Sequence, residues 1–234
     1  MNTTVLNIPK VQKRSTEAKA ADLLRDAIIS GAIPLGTRLT EISSSEQLGV
    51  SRGTIRVAFH QLVQEGLLIQ TPYTGWSVMT LSPEDAWELY TLRGSLEALA
   101  SRLVTMRVQQ EGATGFTFTS ISRAVKALQN ACQDGDNRSI ANADMALHKT
   151  IIDLTNHSRL IEQYTRIQPQ IALYIQSSDA LVSEGSEIIS QHQPLIDAIE
   201  AKDVQAAMSS AMHHNETEGA ILVDHLKRLS NTTS

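Results

Sequence analysis

The sequence predicts a mainly α protein: an N-terminal winged helix-turn-helix, built of three helices and a β-hairpin wing, joined to an all-α helical bundle of about six helices. Three observations predict it. Apolar residues recur at helical spacing through most of the 234 residues, and only two short stretches near residue 70 read as strands. Helix start and stop signals bracket those periodic segments. Aromatic residues are only 4%, within a composition (41% hydrophobic, 19% charged) typical of a soluble globular protein.

The elements follow in order. In "TEAKAADLLRDAIIS", residues 16 to 30, Ala20, Leu23, Leu24, Ala27 and Ile28 share one helical face, and Gly31 is a natural stop. "PLGTRL" reads as a turn into "TEISSSEQLGV", where Ser43 and Glu46 have capping-box spacing. After a tight turn at Gly49 and Val50, Ser51 can cap a third helix, "RGTIRVAFHQLVQE". Its Ile55, Phe59, Leu62 and Val63 point inward, and Gly66 ends it. "LLIQ", a turn in "TPYTG", and "WSVMT" make the two strands of the wing.

Ser82 as cap and Pro83 at the first helical position mark the start of a second domain. Helices are expected at about 84–110, 119–134, 137–155, 158–179, 184–201 and 203–229, with "EGATGFTFT" as the one notable non-helical insert. The division is thus a flexible tail over 1–15, a head over 16–80 and a helical body over 81–230.

Charge is uneven. Up to Gly75 there are eight Lys/Arg and six Asp/Glu, or +2; from Trp76 on there are twelve and nineteen, or −7, which sum to the net −5. An acidic body with a mildly basic head is compatible with DNA binding by the head alone. The single Cys132 excludes a disulfide framework and a thiolate metal cluster, and fits a reducing cytoplasm. No run approaches the ~18 apolar residues of a membrane span, and the first fifteen residues lack the apolar segment of a signal peptide.

In the third helix Arg52 and Arg56 are four apart, opposite Phe59 and Leu62, with Ser51 and Thr54 at the helix start. A helix that enters the major groove needs this arrangement, because Arg pairs bidentately with guanine edges and hydroxyls take phosphate or base contacts. Arg38 could reach a neighbouring phosphate. The bland alternative is a solvated helix face.

The pieces "LGTRLTE", "LGVSRGTIRVAFHQLVQEGLL" and "GWSV" resemble the N-terminal domain of GntR-superfamily transcription regulators over nearly all of residues 20 to 80. The resemblance implies that Arg52 and Arg56 contact DNA, that Arg38 is a further contact, and that Gly75 is the wing glycine. Ser44 and Ser45 depart from the family's usual Leu-Ala, and Val57 stands where Glu is common, so the operator sequence does not carry over.

In the body, "NADMALHKTIIDLTNH" raises a separate question. Asp144 and His148 are four apart on a flank shared with Ile151, Ile152 and Thr155. His192 lies on the stripe Ile188, Leu195, Ile196, Ile199, and His214 follows Ala207 and Ala211 and precedes Ile221, whereas His213 should face water. A lone buried histidine is more often a hydrogen-bonded core residue than a ligand. One acid and three imidazoles facing one bundle instead make an Asp-His-His-His set of N and O donors suited to Zn²⁺, Ni²⁺ or Mn²⁺.

These segments, with "LYTLRGSLEALASRL", resemble the FCD ligand-binding domain of the FadR-like branch, and with the head the likeness spans about 20 to 225. It implies that Asp144, His148, His192 and His214 are the metal ligands, and that a small carboxylate effector binds the open metal. Arg93 matches a recurrent Arg/Glu pair, so it either touches the effector or pairs with Glu97. Asn156, Tyr164 and Asn215 are further pocket candidates. A closed metal that only braces the bundle is the plainer reading of the site.

The leading expectation is therefore a homodimeric, cytoplasmic regulator that reads two operator half-sites in double-stranded DNA. A metal-dependent hydrolase or lyase using the same cluster, and a regulator answering to the metal itself, are the alternatives.

Overall fold

The computed structural model describes residues 14–72, 74–112, 114–177 and 184–232. Most of the expected tail, Tyr73 in the wing turn, Ala113 in the insert and residues 178 and 179 at the end of an expected helix lie outside the described residues.

The head opens with α1 (Thr16–Ile29), capped by Ser15, whose Oγ accepts from the Ala18 amide at 3.2 Å. Its buried residues are Ala20, Ala21, Leu24 and Ile28, while Leu23 is 58% exposed and Ala27 half-buried, against expectation. Each residue turns 100° about the axis, so with Leu24 at the centre of the buried arc Leu23 falls outside it.

α2 (Glu41–Leu48) begins one turn before Ser43: Thr40 is the cap, its Oγ1 accepting from the Ser43 amide at 3.1 Å, so Ser43 is inside the helix. Gly49, at φ 64°, closes it in the left-handed conformation that Gly adopts without strain. α3 (Arg52–Gln64) starts at Ser51 as read, with Ile55, Phe59 and Leu62 fully buried and Val63 half-buried.

The wing is three-stranded rather than a bare hairpin. β2 (Leu68–Thr71) and β3 (Gly75–Val78) pair antiparallel, Leu68 opposite Val78 and Thr71 opposite Gly75. The other edge of β3 takes β1 (Arg38–Leu39), with Arg38 opposite Ser77 and Leu39 opposite Trp76. Part of "PLGTRL" thus satisfies backbone groups that a two-stranded wing would leave open. Arg25 ties the first helix to the end of the third: Nε and Nη2 donate to Glu65 at 2.6 and 2.7 Å.

The body starts at α4 (Pro83–Glu111), capped by Ser82, whose Oγ accepts from the Asp85 amide at 3.0 Å. α5 (Phe116–Asp134) begins earlier than its periodicity suggests, because Glu111 caps it from the preceding helix, accepting from the amide and hydroxyl of Thr117 at 2.9 and 3.0 Å. α6 (Asn137–Leu154), α7 (Ser158–Ser177), α8 (Gly185–Glu200) and α9 (Val204–Thr232) complete the bundle.

α4 and α9 form its most intimate pair. Gly219 explains how close they come, since a Cβ there would stand 2.8 Å from Tyr90 Cβ. Head and body touch where α1 meets α7; within the body, the Tyr174 hydroxyl on α7 donates to Asp85 of α4 at 2.8 Å. No described helix is long and apolar enough to cross a membrane.

Candidate metal centre and nucleic-acid interface

The four expected ligands converge. Asp144 and His148 come one above the other from α6, His192 from α8 and His214 from α9, each at most 8% exposed. His148 Nε2 and His192 Nε2 are 3.0 Å apart, and Asp144 Oδ1 lies 2.9 Å from His192 Nε2 and 3.9 Å from His148 Nε2. One ring nitrogen from each histidine falls within 4.8 Å of the other two. Of the stripe expected to lead to His214, Ala207 and Ala211 are buried; Ile221 is 42% exposed and Leu222 takes its place. His213 is exposed, as the helical face demands.

The outer nitrogens set the tautomers. His148 Nδ1 is 2.9 Å from Glu97 Oε2, and His192 Nδ1 is 2.8 Å from the Ile188 carbonyl. Both partners only accept, so each Nδ1 carries a proton and donates, which turns each Nε2 inward. At 3.0 Å these two Nε2 atoms need a proton or a cation between them. His214 Nε2 is buried with no hydrogen-bond partner, a cost that coordination would remove, and Asp144 Oδ1 has one only when the His192 Nε2 beside it carries a proton. Three imidazole nitrogens and a carboxylate oxygen, with a carboxylate orienting one ring from behind, suit Zn²⁺, Ni²⁺ or Mn²⁺.

Without a cation the cluster is a proton trap. Burial works against a charge on His192, but the Asp144 carboxylate more than offsets it and raises the imidazole to about 9. Burial also opposes ionised Asp144, yet His192, His148 and Arg93 hold that carboxyl well below the usual range. His214 is pushed down to about 4, chiefly by burial and partly countered by Glu218. A cation entering here displaces the His192 proton.

Glu97 is the hub behind the cluster. It accepts from Arg93 Nε at 2.8 Å, from the Tyr164 hydroxyl at 2.9 Å and from Asn215 Nδ2 at 2.7 Å, besides facing His148. Arg93 is fully buried, its Nη1 donating to Glu218 at 3.0 Å. Of the four pocket candidates, Arg93, Tyr164 and Asn215 therefore gather around one carboxylate. Asn156 stands apart, exposed in the turn after α6 at φ 51°. Glu218 was not singled out from the sequence, although its signal was there, four residues after His214 on the same helical face. The anchoring of His148 by Glu97 carries no local signal, since it spans 51 residues.

In the head, Arg52 and Arg56 are exposed on α3, and Ser51 is exposed at its start. Arg56 is held flat by Glu41 of α2, both carboxylate oxygens accepting at 2.8 Å. Thr54 turns inward, 9% exposed, its hydroxyl 3.0 Å from Ser51 Oγ. Arg38 is exposed on β1, and Gly75, at φ 95°, opens β3 in a conformation suited to Gly.

Residues 16–78 match the family described as bacterial regulatory proteins, gntR family, and residues 88–217 match the FCD domain. A probable D-xylose utilization operon transcriptional repressor of Paenarthrobacter nicotinovorans is 28% identical over 208 residues, covering 86% of this chain and 88% of that protein. The gluconate operon transcriptional repressor of Bacillus licheniformis is 28% identical over 211 residues, covering 88% and 84%. A GntR transcriptional regulator from Rhodococcus sp. RHA1 superposes with a TM-score of 0.72 at 25% identity, covering 90% of this chain and 99% of that one.

Proposed function

The chain belongs to the FCD-bearing gntR family of bacterial transcription regulators, and from that premise we propose that it binds operator DNA as a cytoplasmic homodimer and is switched by a small carboxylate at a divalent cation in the body. It is a regulator and not an enzyme. The observation that carries the metal half is the orphaned His214 Nε2 beside two other Nε2 atoms 3.0 Å apart, with Asp144 Oδ1 2.9 Å from one of them. Asp144, His148, His192 and His214 hold the cation, and Glu97 keeps His148 turned toward it. The cation supplies a Lewis-acidic position for a carboxylate.

The DNA half rests on the exposed Arg52 and Arg56 at the start of α3, with Ser51, Thr54, Arg38 and Gly75 as their neighbours in the operator-facing set. Two copies are needed because one small head reads few bases. An effector alters operator affinity only as far as it prefers one arrangement of head and body. α7 is the candidate carrier of that preference, supported by the bond from its Tyr164 to Glu97 and by its packing against α1 of the head.

Gluconate is the first probe, since a relative is named for its operon and it is a hydroxy acid that binds metal; D-xylose is the neutral control. Elemental analysis of purified protein should find about one Zn, Ni or Mn per chain, lost in His192→Ala. Gluconate should then raise the melting temperature of loaded protein and change its retention of a DNA fragment from beside its own gene, with no such effect after chelation. A metal-free protein that still responds to gluconate would overturn the proposal. Operator binding that follows the cation alone, whatever acid is present, would make the metal itself the signal.

A further inference from the structure

We infer that Glu218 is a fifth protein ligand for the cation, a carboxylate of the chain's own in the coordination position that an external carboxylate would take. This rests on the metal reading above and deepens it. Glu218 follows His214 by four residues, so both side chains rise from one face of α9. Its Oε1 lies 3.5 Å from His214 Nε2, an atom that is buried without a hydrogen bond. A cation with bonds of ~2.1 Å keeps neighbouring donors about 3.0 Å apart at right angles and about 3.6 Å apart at 120°, the two angles of a five-coordinate site. The separations of His192 Nε2 from His148 Nε2 (3.0 Å) and from Asp144 Oδ1 (2.9 Å) fit the first spacing, that of Asp144 from His148 (3.9 Å) is wider than either, and the Glu218 to His214 separation falls close to the second.

The other oxygen of Glu218 is occupied, accepting from Arg93 Nη1 at 3.0 Å, which leaves Oε1 for the site. Charge points the same way. Arg93 and a divalent cation carry three positive charges, and Glu97, Asp144 and Glu218 carry three negative ones. The buried set is neutral with Glu218 bound and needs no outside anion. Glu218 is also less sealed than Glu97, its side chain 14% exposed against 5%. An external carboxylate has to displace it, and the released carboxylate stays paired with Arg93.

The full chain, stripped and reloaded, tests this through Glu218→Gln, which keeps the shape, and Glu218→Asp, which keeps the charge beside Arg93 but withdraws the oxygen by one methylene. Both variants should release Zn²⁺ to a competing chelator at an affinity lower by about tenfold. The visible absorption of the Co²⁺ forms should become more intense, as it does when coordination number falls. Acetate, the simplest carboxylate probe, should bind loaded Glu218→Gln more tightly, because no internal competitor remains. Unchanged Zn²⁺ affinity and an unchanged Co²⁺ spectrum in both folded variants would make Glu218 only a partner of Arg93. Wild-type protein that takes up neither ion would instead defeat the metal reading from which the assignment starts.

Discussion

Replacing Arg93 by Met separates the two roles the sequence left open for it. Its guanidinium is wholly buried and serves Glu97 at 2.8 Å and Glu218 at 3.0 Å. Met keeps most of the stem's volume but leaves two carboxylates facing each other without their cation. Removing one partner of a buried ion pair costs about 3–5 kcal/mol. Some of that returns as the side chains relax and as Glu218, partly exposed, reaches water, so the lower end applies. In a chain of this length 1 kcal/mol shifts the melting temperature by about 2–4 °C, which puts the expected loss near 6–12 °C.

The measurement is thermal unfolding of the metal-free protein followed by circular dichroism, with no effector present. Adding Glu97→Gln to Arg93→Met should recover part of the loss, because the double variant buries one charge fewer, and the cycle isolates the pair's coupling. A melting temperature within about a degree of wild type would refute the reasoning. Arg93 would then be held for an absent ligand, and its contacts with the two carboxylates would contribute nothing to folding.

Three further outcomes are expected. Arg52→Ala combined with Arg56→Ala should abolish specific retention of the operator fragment; at low salt, where residual binding is measurable, the slope of log affinity against log salt should fall by about two. Unaltered binding in that double variant would remove α3 as the reading helix. Gly219→Ala should destabilise the body by about 1–3 kcal/mol, because its Cβ would meet Tyr90 at 2.8 Å in the tight α4–α9 pair. Gly53→Ala, where the nearest atom is 3.7 Å away, should be neutral or stabilising by up to ~1 kcal/mol, and urea titration of both glycine variants measures the difference.

Much of this architecture is written in local chemistry. Ser51, Ser82 and Pro83 start helices because a short hydroxyl or a fixed φ does so wherever it stands, and the structure has all three in those roles. The convergence of the four candidate ligands was legible for a similar reason. Each of Asp144, His148, His192 and His214 sits on the apolar face of its own helix, and packing helices by those faces brings the four together whatever their separation in sequence.

What local pattern could not supply is pairing across the chain. The third strand of the wing depends on the free edge of β3, thirty-odd residues from Arg38. The start of α5 depends on Glu111 reaching over from another helix. Only the packed bundle decided that Glu97, an unremarkable acid at helical spacing from Arg93, anchors His148, Tyr164 and Asn215, and that Glu218 faces His214 and Arg93 at once. The helical period fixes which face a side chain takes. Which partner it finds there is set by how closely α4 and α9 approach, and by the requirement that every charge buried between them be matched.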